Sequence, residues 1–315
     1  VDYLDLDAIL PAVSHGIDTP TLDLSPRWHA TIDCDIQQMH YRRFRGKNIR
    51  TQLRISPQKL VLEQCHLGIA GGKASLSGYL HPSGDHYDTH MTTKLRGVDI
   101  QQLLYMCENF YQHFLTDEHL HGKLLADGYL DLPLSRQGQV DWKAAQGEVD
   151  IKLHDGVLQQ FPPIQRLAKY IPREALAQVR FSALRNRIKI KHGVIHIPPM
   201  EVHSSITRML LSGTHALDGR INYRFEVPLA GLNKGVSKQH PEAVAEDVLD
   251  DINVFLRLQG TTDQYQVTYD TRALKKSLQQ KLKKHGRVIK QILRGEYQQK
   301  KKVQELISDE YLDFD

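Results

Sequence analysis

The chain of 315 residues contains few cysteines. The three that it has, Cys34, Cys65 and Cys107, are far apart and form no CxxC pair, which excludes the common zinc-binding and thioredoxin-like patterns. An odd number of cysteines also excludes a monomer in which every thiol is paired. Because Cys34 and Cys65 fall on the apolar sides of predicted strands, we expect buried free thiols that behave as small hydrophobic residues.

Long hydrophobic runs are also missing. No run of about 18 apolar residues is present, so the sequence predicts no transmembrane helix, and no signal segment opens the chain. Since the chain begins at Val1 rather than at a methionine, we expect it to be a piece of a longer protein. Its hydrophobic content of 40% is enough for a sizeable core.

Catalytic motifs are scarce. The stretch GIAGGKAS is close to a phosphate-binding loop, but Gly68 and Gly72 enclose three residues rather than four, and Ala74 follows Lys73 where Ser or Thr is required. The stretches TDEHLHGK and GDHYDTH hold metal-ligand residue types without a second cluster of ligand spacing. No GxSxG sequence is present. The sequence therefore predicts no enzyme, no metal site and no cofactor.

What the chain does contain is a regular alternation of apolar and polar residues. In LGIAGGKASLSGYL (67–80), a turn at Gly71 and Gly72 would pair Ile69 with Ala74 in an antiparallel hairpin. Because successive side chains of a strand point to opposite faces, the apolar residues would then share one face. The pattern predicts antiparallel strands with the other face in water.

Two other dipeptides predict hairpins of the same kind. A turn at His192–Gly193 and one at Asp218–Gly219 each lie between alternating strands. The second would pair Ala216 with Ile221 and place both on the apolar face. Repeated along the chain, this alternation predicts a mainly β fold with one large antiparallel sheet.

Helical spacing of apolar residues interrupts the strands in three places, at about 99–114, 163–179 and 241–251. Asp99 is a candidate N-cap of the first helix, and Pro172 interrupts the second. We expect these amphipathic helices to cap a sheet that spans residues 28–269, after a lead-in segment of residues 1–27.

Positive charge is concentrated near the end of the chain, although the formal net charge is only +4. Residues 270–315 predict a basic helix followed by an acidic tail. The helix would either dock on the sheet with a solvated basic side or also meet anionic lipid headgroups, through Lys275, Lys276, Lys283, Lys284, Arg287 and Lys290. No stacking aromatics accompany these charges, so nucleic acid is not an expected partner.

The order of these pieces resembles the C-terminal part of the AsmA-like family of diderm bacterial envelope proteins. The resemblance covers about residues 28–294 and is carried by LGIAGGKASLSGYL, LRGVDIQQLL, HGKLLADGYLDLPL, GEVDIKLHDGVLQQFPPIQRLAKY, VRFSALRNRIKIKHGVIHIPPMEVHSS, LSGTHALDGRINYRFEVPLAG and LRLQGTTDQYQVTYDT. It implies a periplasmic protein, anchored in the inner membrane by a helix outside this chain. It also implies a role in outer-membrane biogenesis and lipid homeostasis, and kinship with bridge-like lipid-transfer proteins.

Together these observations predict a curved antiparallel sheet that forms an apolar groove, capped by amphipathic helices, and that binds or conducts phospholipid. The residues predicted to contact lipid are Ile32, Leu53, Ile55, Leu67, Ile69, Leu76, Met91, Trp142, Ile151, Ile190, Ile195, Tyr223 and Phe225. The same residues would also suit an ordinary closed core. An alternative function is a scaffold that assists outer-membrane protein assembly through protein contacts without lipid. A hydrolase or sugar-binding β-sandwich is disfavoured, because aromatic residues make up only 7% of the chain and none cluster with carboxylates.

Overall fold

The chain is mainly β and forms one large, open, curved sheet of 15 strands. A computed structural model describes residues 1–9, 29–165, 173–228 and 253–270. The strands are β1 (Tyr3–Asp5), β2 (Ala30–Tyr41), β3 (Phe44–Ser56), β4 (Lys59–Ile69), β5 (Gly72–Ser83), β6 (His86–Asp99), β7 (Leu120–Asp131), β8 (Leu134–Ser135), β9 (Gln146–Gln159), β10 (Gln178–Lys191), β11 (Val194–His203), β12 (Arg208–Ala216), β13 (Arg220–Pro228), β14 (Asn253–Thr261) and β15 (Tyr265–Tyr269).

The strands follow one another across the sheet almost in chain order. The short strand β8 pairs with β6 beyond the end of β7, so β9 lies next to β7. Neighbouring strands are antiparallel, as short turns require, except that β1 runs parallel to β2. The sheet therefore already includes β1, which lies within the predicted lead-in of residues 1–27.

The hairpin of β4 and β5 turns one residue earlier than predicted. Its turn residues are Ala70 and Gly71, both with positive φ (46° and 71°), as a two-residue hairpin turn needs. Ile69 consequently pairs with Gly72 instead of Ala74. The predicted pairing is wrong by two positions, but the apolar face is as predicted, because an even shift preserves the side-chain faces.

The β10–β11 hairpin confirms the predicted turn at His192–Gly193, where both residues have positive φ and Ile190 pairs with Ile195. The turn has two residues, so the alternation passes unchanged from one strand to the next.

The register predicted for the β12–β13 hairpin is wrong by one residue. The loop has a third residue, Leu217, before Asp218 and Gly219, and Gly219 takes a left-handed φ of 93°. His215 therefore pairs with Ile221 in place of Ala216. A shift of one residue exchanges the two faces, which brings an imidazole to the apolar side.

Within the described ranges, four short helices connect the strands: α1 (Leu6–Ile9), α2 (Ile100–Met106), α3 (Pro162–Gln165) and α4 (Arg173–Ala177). The predicted N-cap of α2 is confirmed, since the Asp99 carboxylate accepts a hydrogen bond from the Gln102 N–H at 3.1 Å. None of the helices within the described ranges is long and apolar enough to cross a bilayer.

The helix predicted over 99–114 is longer than the observed helix α2. Helix α2 ends at Met106, and the following turn, Glu108–Tyr111, contains three residues with positive φ. Asn109 exchanges two hydrogen bonds with Asp117, at 2.7 and 2.8 Å, which directs the chain away from the helix axis. This bend brings Phe114 over the sheet.

The second predicted helix, 163–179, is also shorter than expected. Only α3 and α4 lie in its described parts, and Val179 already belongs to β10. The predicted helix 241–251 and nearly all of 270–315, with its basic residues, lie outside the described residues.

Candidate apolar binding face

One face of the sheet is apolar across its whole width. A row of cross-strand partners, called here the crossing row, runs through Ile32, Leu53, Leu62, Gly78, Met91, Leu130, Gly147, Ile190, Ile195, His215, Ile221, Gly260 and Tyr265. At the usual spacing of about 4.8 Å between strands, the row is roughly 60 Å long. Every member except His215 is aliphatic, aromatic or glycine, so the apolar face continues from one hairpin to the next.

Twelve of the thirteen predicted lipid-contact residues lie on this face. The register places five of them in the crossing row. Ile55, Leu76, Ile151, Tyr223 and Phe225 lie at even spacing from the row on the same strands, and the bulge between Leu62 and Cys65 brings Leu67 and Ile69 to the same face. Trp142 is the exception. It lies outside the sheet, in the loop between β8 and β9, and its carbonyl oxygen faces the backbone of Gly193. The prediction that Trp142 lines the sheet is therefore wrong.

The apolar face is buried at the end of the strands where β6 leads into α2, called here the helical end. The buried cluster there contains Leu67, Ile69 and Val98, and α2 contributes Leu103 and Leu104 to it. Val98 has no exposed surface. Of the predicted lipid contacts, Leu67 and Ile69 thus belong to a closed core.

A second buried cluster lies under the connection between β6 and β7. The Phe114 ring stacks on that of Tyr223, with centroids 5.8 Å apart, and contacts Phe161 edge to face at 5.2 Å. Ile221 and Leu258 complete the cluster, and Leu258 is only 1% exposed. Tyr223, predicted as a lipid contact, is therefore also buried by the protein itself.

At the opposite end of the strands, called here the turn end, most apolar side chains remain partly exposed, although Tyr87 of β6 is fully buried there. Ile32 is the most exposed, at 43%. This partly exposed strip crosses β2 to β11 and comprises Ile32, Leu53, Ile55, Leu62, Leu76, Met91, Leu130, Ile188, Ile190 and Ile195. Nine neighbouring strands at about 4.8 Å give the strip a length of about 40 Å.

The sheet also borders a small apolar cavity of about 30 Å³, beneath α3. Pro163, Ile164, Phe225 and Leu256 are among its lining residues. A volume of this size holds about one water molecule and no acyl chain. Space for an elongated apolar ligand is therefore found on the partly exposed strip and not in this cavity.

The other face of the sheet is hydrated and carries ion pairs between neighbouring strands. These are Arg50–Asp35, Arg54–Glu63, Arg96–Asp127, Arg187–Asp150 and Lys189–Glu148, with N···O distances between 2.7 and 3.4 Å. Exposed pairs of this kind contribute little to stability. Their presence shows that this face is in water.

The histidines of TDEHLHGK serve the local structure. His119 accepts a hydrogen bond from the Thr116 N–H, and His121 Nδ1 lies 3.0 Å from Gln101 Oε1. A different group, Asp5, Asp7 and His40, was not predicted from the sequence, and its ligand-type atoms lie within 4.8 Å of one another.

This group holds the β2–β3 turn. Asp7 accepts a hydrogen bond from the Arg42 N–H at 2.7 Å, and His40 Nε2 lies 2.8 Å from the Arg42 carbonyl oxygen. The three residues converge only because β1 pairs beside β2, a contact that no local motif indicates.

His215 is the unexpected polar group on the apolar face. Its Nδ1 lies 3.0 Å from the Tyr223 hydroxyl oxygen, and Phe114 contacts the imidazole edge to face. Burial lowers the pKa of His215 below its ordinary value of 6.5 and raises the pKa of Tyr223. Both groups are therefore neutral at pH 7.

We expect acid to destabilise the fold through His215. Below pH 6.5 the unfolded chain binds a proton on this imidazole more readily than the folded chain does, so the free energy of unfolding falls as the pH falls. Urea unfolding at about pH 7.5 and about pH 5.5 should show a smaller loss in His215→Gln than in the unchanged protein. His196, an exposed residue of β11, provides the matched His196→Gln control. Equal pH dependence in all three proteins would contradict the burial of a neutral imidazole.

Comparison of the chain with protein-family models, curated proteins and solved structures finds no match. The resemblance to AsmA-like proteins consequently depends on the sequence motifs alone.

Proposed function

We propose that this chain binds phospholipid acyl chains on the partly exposed strip and guides them along the sheet. The observation that carries the proposal is the crossing row, an apolar row through the whole sheet. Its members at β2 to β11, apart from the buried Gly147, keep part of their surface exposed. Contiguous exposed apolar surface is rare in soluble proteins unless it has a binding role.

The energy of acyl-chain burial favours this ligand. Each buried methylene contributes about 0.8 kcal/mol, so a tail of about sixteen carbons gains on the order of 10 kcal/mol on such a surface. Neither a directed hydrogen bond nor a charged partner is required for this gain. A strip of aliphatic side chains is therefore sufficient for affinity.

The repetition along the strip favours movement of the ligand. Side chains of similar size and polarity recur along the strip, as in Leu53, Leu62, Met91 and Leu130, with only Gly78 between Leu62 and Met91. A tail displaced by one strand exchanges one aliphatic contact for another, so its energy changes little. Leaving the strip exposes the whole tail to water. Slow release combined with easy sliding is what conduction between two membranes requires.

The proposed setting follows from the AsmA-like resemblance. We propose that the chain belongs to this family and acts in the periplasm, anchored to the inner membrane by a part of the protein outside this chain. Its role would be to support outer-membrane biogenesis and lipid homeostasis, with envelope proteins as possible partners. The basic segment with Lys275 and Lys276 would then face a membrane surface.

Lipid recovery from the purified protein tests the proposal. We expect denaturing extraction and mass spectrometry to recover phospholipid from the chain purified without detergent. Because the strip contains no group that selects a headgroup, the recovered species should vary in headgroup and share long acyl chains.

The control for this measurement is a soluble protein of similar size purified from the same cells. Lipid in equal amount in both samples would contradict the proposal. A lipid-free chain that instead captures a defined envelope protein would favour the scaffold alternative.

A further inference from the structure

A second, larger cavity of about 930 Å³ lies beside the β4–β5 turn at the helical end. Among the described residues, its lining contains five Lys or Arg residues and no Asp or Glu, the cationic residues being Arg45, Lys47, Lys73, Lys94 and Arg96. His66, Asn48 and Ser75 add polar atoms to the wall. The cavity is therefore strongly positive.

Strand register concentrates these charges on the hydrated face. Lys47 pairs with Gly68, which pairs with Lys73, and Lys73 lies directly opposite Arg96. Gly68 places no side chain between the two lysines. Like charges at directly opposite positions destabilise a sheet, so the folding of β3 to β6 gives no reason for this arrangement.

The same face pairs its charges elsewhere. Among the cavity cations, Arg96 is held by Asp127 at 2.7 Å. Within the described ranges, Lys47, Lys73 and Lys94 have no carboxylate within ion-pair distance, in contrast to the strand-to-strand pairs described above. Three lysines thus remain available to an anion from outside the protein.

The rest of the wall indicates which kind of anion fits. Leu67, Ile69 and Met106 also line the cavity, and they belong to or pack against the buried end of the apolar face. Among the described residues, no Phe, Tyr or Trp lines it, so the aromatic platform on which single-stranded nucleic acid stacks is missing. The volume suits one small ligand. A phosphate group joined to an apolar body matches both parts of the wall.

We infer that this cavity binds the phosphate of an anionic phospholipid headgroup through Lys47, Lys73 and Lys94. Ammonium groups form strong charge-assisted hydrogen bonds to phosphate oxygens. The inference rests on the proposed function, since it assigns a headgroup site to the same sheet, at the end of the strands opposite to the strip that would bind the tails. It adds selection by charge, which the strip itself does not provide.

Calorimetric titration with dihexanoyl phosphatidylglycerol tests the inference. We expect the triple variant Lys47→Gln, Lys73→Gln and Lys94→Gln to bind this lipid about tenfold or more weakly than the unchanged chain, since each nearby cation contributes to the attraction of an anionic headgroup. Raising the salt concentration should weaken binding to the unchanged chain and have less effect on the variant.

A triple variant of Lys143, Lys152 and Lys191, each changed to Gln, is the matched control. It removes the same charge from positions outside the cavity, and its affinity should equal that of the unchanged chain. Equal affinity of the two triple variants would overturn the inference. Tighter binding of a single-stranded thymidine oligonucleotide than of the lipid would overturn it as well.

Two further measurements distinguish a failure of this inference from a failure of the proposed function. Glycerol phosphate and inorganic phosphate test free phosphate, and lipid recovery from Met91→Asp tests the strip. If Met91→Asp loses its lipid while the lysine variant binds phosphatidylglycerol normally, the strip is supported and the headgroup site is wrong. If free phosphate binds as tightly as the lipid and no lipid is recovered from the unchanged chain, the site takes free anions, and both the lipid assignment and the proposed function fail.

Discussion

Replacing Met91 with Asp is expected to abolish lipid transfer by a chain that still folds. Met91 lies in the middle of the partly exposed strip, between Gly78 and Leu130 in the crossing row. A carboxylate against hydrocarbon is unfavourable by about 3 kcal/mol, which corresponds to roughly a hundredfold loss. Transfer of a fluorescent phospholipid between donor and acceptor vesicles measures the effect, and thermal unfolding checks the fold.

The neighbouring Thr92 supplies the matched control. Its side chain lies on the hydrated face, where its hydroxyl is 2.6 Å from that of Ser77. Thr92→Asp introduces the same charge one residue away and should retain transfer, although it removes this hydrogen bond.

A second strip variant, Ile32→Asp, is expected to fold even if Met91→Asp does not, because Ile32 is already 43% exposed. Transfer at the unchanged rate in both strip variants would show that the strip carries no lipid.

Phe114→Ala is expected to lower the free energy of unfolding by about 3 to 5 kcal/mol, the usual loss for a buried phenylalanine. The ring is 8% exposed and contacts Phe161, His215, Tyr223 and Tyr265. It attaches the β6–β7 connection to strands that are distant along the chain. Urea unfolding followed by circular dichroism measures the loss.

Phe110 lies in the same connection and gives a close control. Its side chain is 50% exposed, so Phe110→Ala should change the free energy of unfolding by about 0.5 kcal/mol or less. Comparable losses in the two variants would mean that Phe114 does not hold the connection on the sheet.

The alternation of the sequence was enough to predict the sheet and most of its apolar face. Twelve of the thirteen predicted residues lie on one face, because a period of two assigns faces whatever the exact partner of a strand is. Even the misplaced β4–β5 turn left Ile69 on the correct side. Trp142 does not follow this pattern because it lies in the loop before β9, which has no partner strand to impose alternation.

Helix ends and loop lengths were less predictable. A period of 3.6 continued to Phe114, but the hydrogen bonds between Asn109 and Asp117 end the helix earlier. At Asp218–Gly219 the dipeptide favours a two-residue turn, whereas the loop has three residues. The additional loop residue, Leu217, places His215 instead of Ala216 on the apolar face, and no local sequence pattern predicts this longer loop.

The sequence alone gives only a weak indication of the cationic cavity. Lys47, Lys73 and Lys94 occupy polar positions of three strands. Lys47 and Lys73 have no acidic residue directly opposite on a neighbouring strand, whereas Lys94 has Asp127. Their assembly became visible only with the register of β3 to β6.

The sequence by itself determined that this chain forms antiparallel strands with one apolar and one hydrated face, because alternation is a local property of each strand. Only the tertiary structure decided how much of the apolar face the protein covers for itself. Burial of Leu67 beneath α2 and of Tyr223 beneath Phe114 depends on contacts between segments far apart in the chain. The partial exposure of the strip from Ile32 to Ile195 depends equally on where those segments end.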